Sequence, residues 1–190
     1  KQSIISDYRY TIKWDQIEKC NSIDEIKHPI IKAALRFFEI KENLEIITFS
    51  DVPLGTGLGS SSTFTVGLVN AFLAYLGKRE TKGYMADLSA KIEIDLLKKN
   101  IGKQDHYAAA YGKLHSYIFR DDETVEVEPI VSSTQILEKI QNRLSLFYTN
   151  KKRDANWILK QYDIKSKYEI LTKQKNQVDQ FIEVFSGKRE

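Results

Sequence analysis

Apolar positions along this 190-residue chain recur with two different periods. Over "SIISDYRYTIKW" they alternate well enough with polar ones to predict a strand. In "SIDEIKHPIIKAALRFFEI" the spacing changes: Ile30, Ala34, Leu35 and Phe38 recur as on a helix, and Pro29 suits a first-turn position. "NLEIITFS" is the clearest strand, with Leu44, Ile46 and Phe49 beside β-branched Ile47 and Thr48. A helix is predicted from about Ser62 to Leu76, stopped by Gly77 as a C-cap candidate. A second runs from Lys82 to Lys99, with Met85, Leu88, Ile92 and Leu96 on one stripe. Further on, "TVEVEPI" and "LSLFYTN" read as strands, "RDANWILKQY" and "KYEILTKQKNQVDQFIEVF" as helices. With no repeat, low-complexity tract or Gly/Pro/Ser linker, the pattern predicts one α+β unit without a visible boundary.

Composition narrows the partners. Hydrophobic residues make up 42% and charged residues 29%, the balance of a soluble globular protein. A formal charge of +3, from 29 basic and 26 acidic residues, is too even for a nucleic-acid stripe. It favours, weakly, an anionic small molecule. The single cysteine, Cys20, is expected to be a free surface or half-buried thiol, and no Cys/His cluster suggests zinc. The longest apolar stretches are too short for a membrane span, so a cytoplasmic location is the default. The chain opens without Met in a strand-like pattern and stops just past a helical one. Both ends are therefore expected to be cuts within a longer protein.

The chemistry concentrates in "DVPLGTGLGSSSTFTVGL", residues 51–68. Only 9 glycines occur in the chain, yet Gly55, Gly57 and Gly59 stand here directly before Ser60, Ser61 and Ser62. A strand, a glycine-rich loop and a helix in succession make an anion site. The first helical N–H groups have no intrahelical acceptor, the helix dipole adds partial positive charge, and glycine lets the backbone come close. The three hydroxyls can cap the helix, donate to a phosphate or coordinate magnesium. A merely serine-capped helix would need one hydroxyl, so anion binding is the stronger reading. The Walker pattern is absent, because no lysine precedes the serines. The dinucleotide fingerprint fails as well, lacking its last glycine and the acid about 20 residues on.

The stretch resembles the central motif of the galactokinase, homoserine kinase, mevalonate kinase and phosphomevalonate kinase (GHMP) superfamily, Pro-x-x-x-Gly-Leu-(Gly or Ser)-Ser-Ser-(Ala or Ser). Pro53, Gly57, Leu58, Gly59, Ser60, Ser61 and Ser62 fill every position. The resemblance implies a two-layer α+β fold like domain 2 of ribosomal protein S5. It also implies a loop, Pro53 and Gly55 included, that wraps the phosphates of ATP, with Ser61 near Mg2+. Phosphoryl transfer further calls for a carboxylate to hold the metal and an acceptor to orient the attacking hydroxyl. "IEIDLLKKNIGKQDHY" offers both. By resemblance Glu93 is the metal ligand and Asp105, twelve residues later, the catalytic acid–base residue. On residue type alone, Glu93 reads as a solvated helix acid, with Asp95 as a rival ligand nearer the apolar stripe. Asp105 alone reads as the N-cap of a short helix.

"GKQDHYAAAYG", "IKHPII" and the loop together look like the bacterial D-glycero-D-manno-heptose 7-phosphate kinase branch and related sugar kinases. That likeness implies ATP-dependent transfer to a sugar or sugar-phosphate hydroxyl, with Lys103, Gln104, Thr149 and Arg153 near the substrate. Arginine suits such a partner because its planar fork matches phosphate oxygens. His106 stands where the family more often has glutamine. The likeness further implies a nucleotide-binding domain over residues 1–130 and the start of a second domain over residues 131–190. A homodimer is compatible with it. The family's N-terminal and C-terminal motifs are absent from this stretch, so full catalysis by the chain alone is not expected. Two alternatives stand beside the sugar kinase: another GHMP enzyme, or a non-catalytic ATP- or anion-binding module.

Overall fold

The structure is a computed structural model that describes residues 7–52, 56–130, 132–148 and 164–185. Alternation along β1 (Tyr10–Lys13) buries Tyr10 and Ile12 on one face. It pairs antiparallel with β2 (Ile17–Cys20), Tyr10 opposite Cys20, and parallel with β3 (Leu44–Ile47), Tyr10 opposite Leu44. The sheet order is therefore β2-β1-β3. Cys20 is buried on the inner face of β2, not half-exposed as expected, because the alternation of that short strand turns both Glu18 and Cys20 inward.

Helix α1 (Pro29–Phe37) begins at the proline, as the first-turn expectation required. The preceding residues 22–28 are not part of it. They form a 3-10 turn at Ile23–Glu25 and an extended His28, since proline disfavours helical backbone in the residue before it. Helix α2 (Ser60–Tyr75) starts two residues earlier than predicted, and Gly77 follows its end at φ +70°.

Helix α3 (Lys82–Lys91) departs from expectation at its last turns. Residues Ile92–Leu96 form a π-turn, which holds more residues per turn than an α-helix and so rotates everything beyond it. Leu88 and Ile92 are buried as the stripe predicts, but Leu96 is exposed and Leu97 packs toward the core in its place. Glu93 is buried because it continues the face of Ala86, Ser89 and Ala90 at helical spacing, while Asp95 is exposed.

Beyond it come α4 (Gln104–Tyr111), the hairpin β4 (His115–Phe119) and β5 (Val125–Pro129), α5 (Thr134–Gln141) and α6 (Ile164–Phe185). The pattern reading named β5 but neither β4 nor α5. "LSLFYTN" is not a strand in residues 144–148: Leu144, Leu146 and Phe147 are exposed, and no ladder includes them among the described residues. The predicted helix "RDANWILKQY" lies outside the described residues, as do residues 3–6 of the first predicted strand.

One buried cluster joins the layers. Tyr10, Ile12 and Leu44 of the sheet meet Ile31 and Leu35 of α1, Val69, Phe72 and Leu73 of α2, Leu88 of α3 and Ile92 of the π-turn. Each such aliphatic side chain contributes roughly 1.5–3 kcal/mol on burial. This α+β core fixes α2 against α3 and α4, and those three helices carry the site.

Candidate active site

Gly57 and Gly59 adopt φ +80° and +69°, the left-handed backbone that glycine accepts without strain. Gly59 is the N-cap of α2, so none of the three serine hydroxyls performs that task. The first α-helical bond closes from Thr63 N to Gly59 O at 2.9 Å. The amides of Ser60, Ser61 and Ser62 precede it and lack intrahelical acceptors, which leaves a row of donors at the positive end of a 16-residue helix. Leu58 is exposed on the loop, Ser60 and Ser61 are half-buried, and Ser62 is buried.

Two acids from distant elements reach this turn. A Cβ built on Gly59 would stand 3.2 Å from both Cγ and Oδ2 of Asp105, so the carboxylate lies directly against the glycine. Asp105 is the second residue of α4, behind an N-cap at Lys103, and is exposed. Glu93 is 0% exposed. Ser61 Oγ donates to its Oε2 at 2.6 Å and Thr65 Oγ1 to its Oε1 at 2.7 Å. The Lys99 ammonium donates to Oε2 at 2.5 Å and to Ser61 Oγ at 3.0 Å. His106 Nε2 stands 3.3 Å from Oε1. Because a carboxylate only accepts, that ring nitrogen carries the proton, and His106 Nδ1 is left buried without a partner. Burial alone would raise the Glu93 pKa. The bonds from His106, Lys99, Ser61 and Thr65 outweigh it and hold the group ionised, down to about 2.

Glu93 is thus not the solvated acid its residue type suggests. Thr65 was legible, since it lies one helical turn after Ser61 on the same face. Lys99 was not, because the π-turn breaks the period that would have placed it.

The profile of the GHMP kinase N-terminal domain matches residues 28–113, a span that contains the serine turn, Glu93, Lys99 and Asp105. Residues 28–113 are thus similar to the N-terminal domain of the GHMP kinases. The D-glycero-alpha-D-manno-heptose 7-phosphate kinase of Campylobacter jejuni is 37% identical over 108 residues, covering 57% of this chain and 32% of that protein. The galactokinase of Thermotoga maritima is 26% identical over 168 residues, covering 84% of this chain and 48% of the relative. A crystal structure of a D-glycero-D-manno-heptose 1-phosphate kinase from Bacteroides thetaiotaomicron superposes with a TM-score of 0.65 at 26% identity, covering 73% of this chain and 48% of that one. The chain spans between about a third and a half of the length of these relatives.

The remaining candidates divide. Lys103 and Gln104 line a surface cleft of about 840 Å³ with Asp87, Asp95 and Arg120, and Asp105 is not among its lining residues. Lys103 Nζ donates to the carbonyl of Glu123 at 3.3 Å, so it is turned toward the β4–β5 hairpin. The proposed substrate residues Thr149 and Arg153, and Pro53 and Gly55 of the loop, lie outside the described residues. No helix of the described residues is long and apolar enough to cross a membrane.

Proposed function

We propose that this domain supplies the phosphate-binding turn and the acid–base carboxylate of an ATP-dependent sugar kinase. The observation that carries the reading is the contact of Asp105 with Gly59. It brings a carboxylate beside the serine-turn amides, which supports the reading of Asp105 as the hydroxyl-proton acceptor. In this reading the amides of Ser60–Ser62 and the turn at Gly57 and Gly59 hold the phosphate oxygens of ATP. Asp105 accepts the proton of the sugar hydroxyl as its oxygen bonds to the γ-phosphorus and ADP leaves. The name of the C. jejuni relative favours D-glycero-D-manno-heptose 7-phosphate as the substrate, and the acceptor in this reading is its anomeric hydroxyl.

Magnesium is the group the family resemblance assigns to Ser61 and Glu93. In the structure both carboxylate oxygens are already engaged, Oε2 by a hydroxyl and an ammonium and Oε1 by a hydroxyl and an imidazole. The pair as folded does not fit a metal ion.

The test is ADP release and phosphosugar formation by the complete protein, supplied with ATP, magnesium and a panel of sugars and sugar phosphates. Phosphorylation of the heptose phosphate is expected. Asp105→Asn should lower turnover by about 10²–10⁴-fold while nucleotide still binds. ATP binding with no product from any sugar would replace the kinase by a nucleotide-binding module. Wild-type turnover in Asp105→Asn would remove the acid–base role.

A further inference from the structure

The Ser61–Glu93 pair already contains a cation. Lys99 Nζ lies 2.5 Å from Glu93 Oε2 and 3.0 Å from Ser61 Oγ, bridging the same two oxygens a divalent ion would bridge. The Lys99 side chain is 27% exposed against 0% for Glu93, so the ammonium lies between the carboxylate and solvent. The backbone fixes it there: Lys98 takes φ +53°, and Lys99 N bonds the Glu93 carbonyl at 3.0 Å. Two adjacent oxygens on an octahedral magnesium stand about 3 Å apart, given metal–oxygen distances near 2.1 Å. Ser61 Oγ and Glu93 Oε2 are 2.6 Å apart, the separation of an O–H···O⁻ hydrogen bond with its proton in place. Among the described residues, no group of three His, Cys, Asp or Glu side chains could hold a metal ion instead.

We propose that the Lys99 ammonium is the resident counter-cation of the Ser61–Glu93 pair and excludes a free divalent ion from it. A metal taking part in phosphate transfer then arrives bound to the nucleotide. This rests on the reading of the serine turn as a phosphate site, yet its test needs no transfer. The present chain is titrated with Mn2+ alone, without nucleotide. Binding is followed by electron paramagnetic resonance of the free ion, and the gained ion is located by broadening of the Ser61 and Thr65 amide signals in NMR spectra.

The wild type and Lys99→Arg should show no broadening of those amides at micromolar Mn2+. Lys99→Gln should bind one ion there about tenfold or more tightly than the wild type, since the like charge is gone. Lys99→Met, which keeps the apolar stem, stands in if the glutamine variant does not fold. Broadening at Ser61 and Thr65 in the wild type overturns the proposal, and so does a folded Lys99→Gln or Lys99→Met protein that gains no ion at that place. If Lys99 excludes the ion but the complete protein phosphorylates no sugar, the kinase reading fails while this one stands.

Discussion

Gly59 and Asp105 touch across the junction of α2 and α4: an added Cβ on the glycine would meet Cγ and Oδ2 of the aspartate at 3.2 Å. Two constraints therefore fall on one residue, because Gly59 also holds φ +69°. Gly59→Ala should lose roughly 1–2 kcal/mol from the left-handed backbone. Asp105 is exposed and can swing away from the methyl, so the packing cost is small. Its displacement from the serine turn is the larger effect. Turnover of the complete protein should fall on the order of 10²-fold, as for other ångström-scale misplacements. Thermal melting with parallel kinetics checks this. A stability loss of that size with unchanged turnover would show that the contact does not position Asp105.

The choice between Glu93 and Asp95 has a stability signature. Glu93 is a buried charge held by four donors, and removing its charge strands Lys99 and His106. Glu93→Gln should cost about 3–5 kcal/mol, the usual penalty for breaking a buried ionic cluster. Asp95 is exposed, so Asp95→Asn should stay within about 0.5 kcal/mol of wild type. Urea unfolding of both variants reads the difference. Equal effects would mean that Glu93 is not enclosed as described.

Much of the frame was legible because it obeys a single period. Tyr10 and Ile12 alternate inward, Pro29 opens α1, and Gly77 follows α2. The serine turn and both acids were legible as a motif, and the fold brings them together. What one period could not supply is the π-turn at Ile92–Leu96. It exchanges Leu97 for Leu96 in the core and sets Lys99 over the Glu93 carboxylate. Strand β4 was missed for a different reason. "HSYIF" is short and is defined by its partner, Tyr117 opposite Val127, and not by its own alternation.

Tyr107 links the element carrying Asp105 to the rest of the domain. Its hydroxyl donates to Asp87 Oδ1 at 2.6 Å, while its ring stacks on Tyr111 and meets Tyr117 and Phe119 edge-on. Burial, with the bonded Asp87 carboxylate beside it, pushes its pKa well above the usual tyrosine value, so the phenol stays protonated as a donor. Tyr107→Phe keeps the ring contacts and removes only the hydroxyl, with an expected loss of about 1–3 kcal/mol for a bond to a charged acceptor. Faster hydrogen exchange in α4 should accompany it. A neutral variant with unaltered exchange would refute the link.

His28 gives the domain a pH dependence of predictable sign. It caps α1 by accepting from Ile31 N through Nδ1 at 3.4 Å, with its ring against Trp14 and Phe64. Burial lowers its pKa below the ordinary 6.5 and the nearby Lys99 charge lowers it further, against opposing pulls from Glu18 and Asp15. The folded state therefore binds fewer protons here than the unfolded chain. The stability this group contributes is complete above pH 6.5 and is lost as pH falls from there toward the lower folded value. Protonation also converts Nδ1 from acceptor to donor, which breaks the cap. His28→Asn retains a capping oxygen without titrating in this range. Denaturant unfolding at pH 7.5 and 5.5 should then show the wild type losing more stability than His28→Asn on acidification. Parallel losses in the two proteins would exclude His28 as the titrating group, because the variant leaves every other ionisable side chain in place.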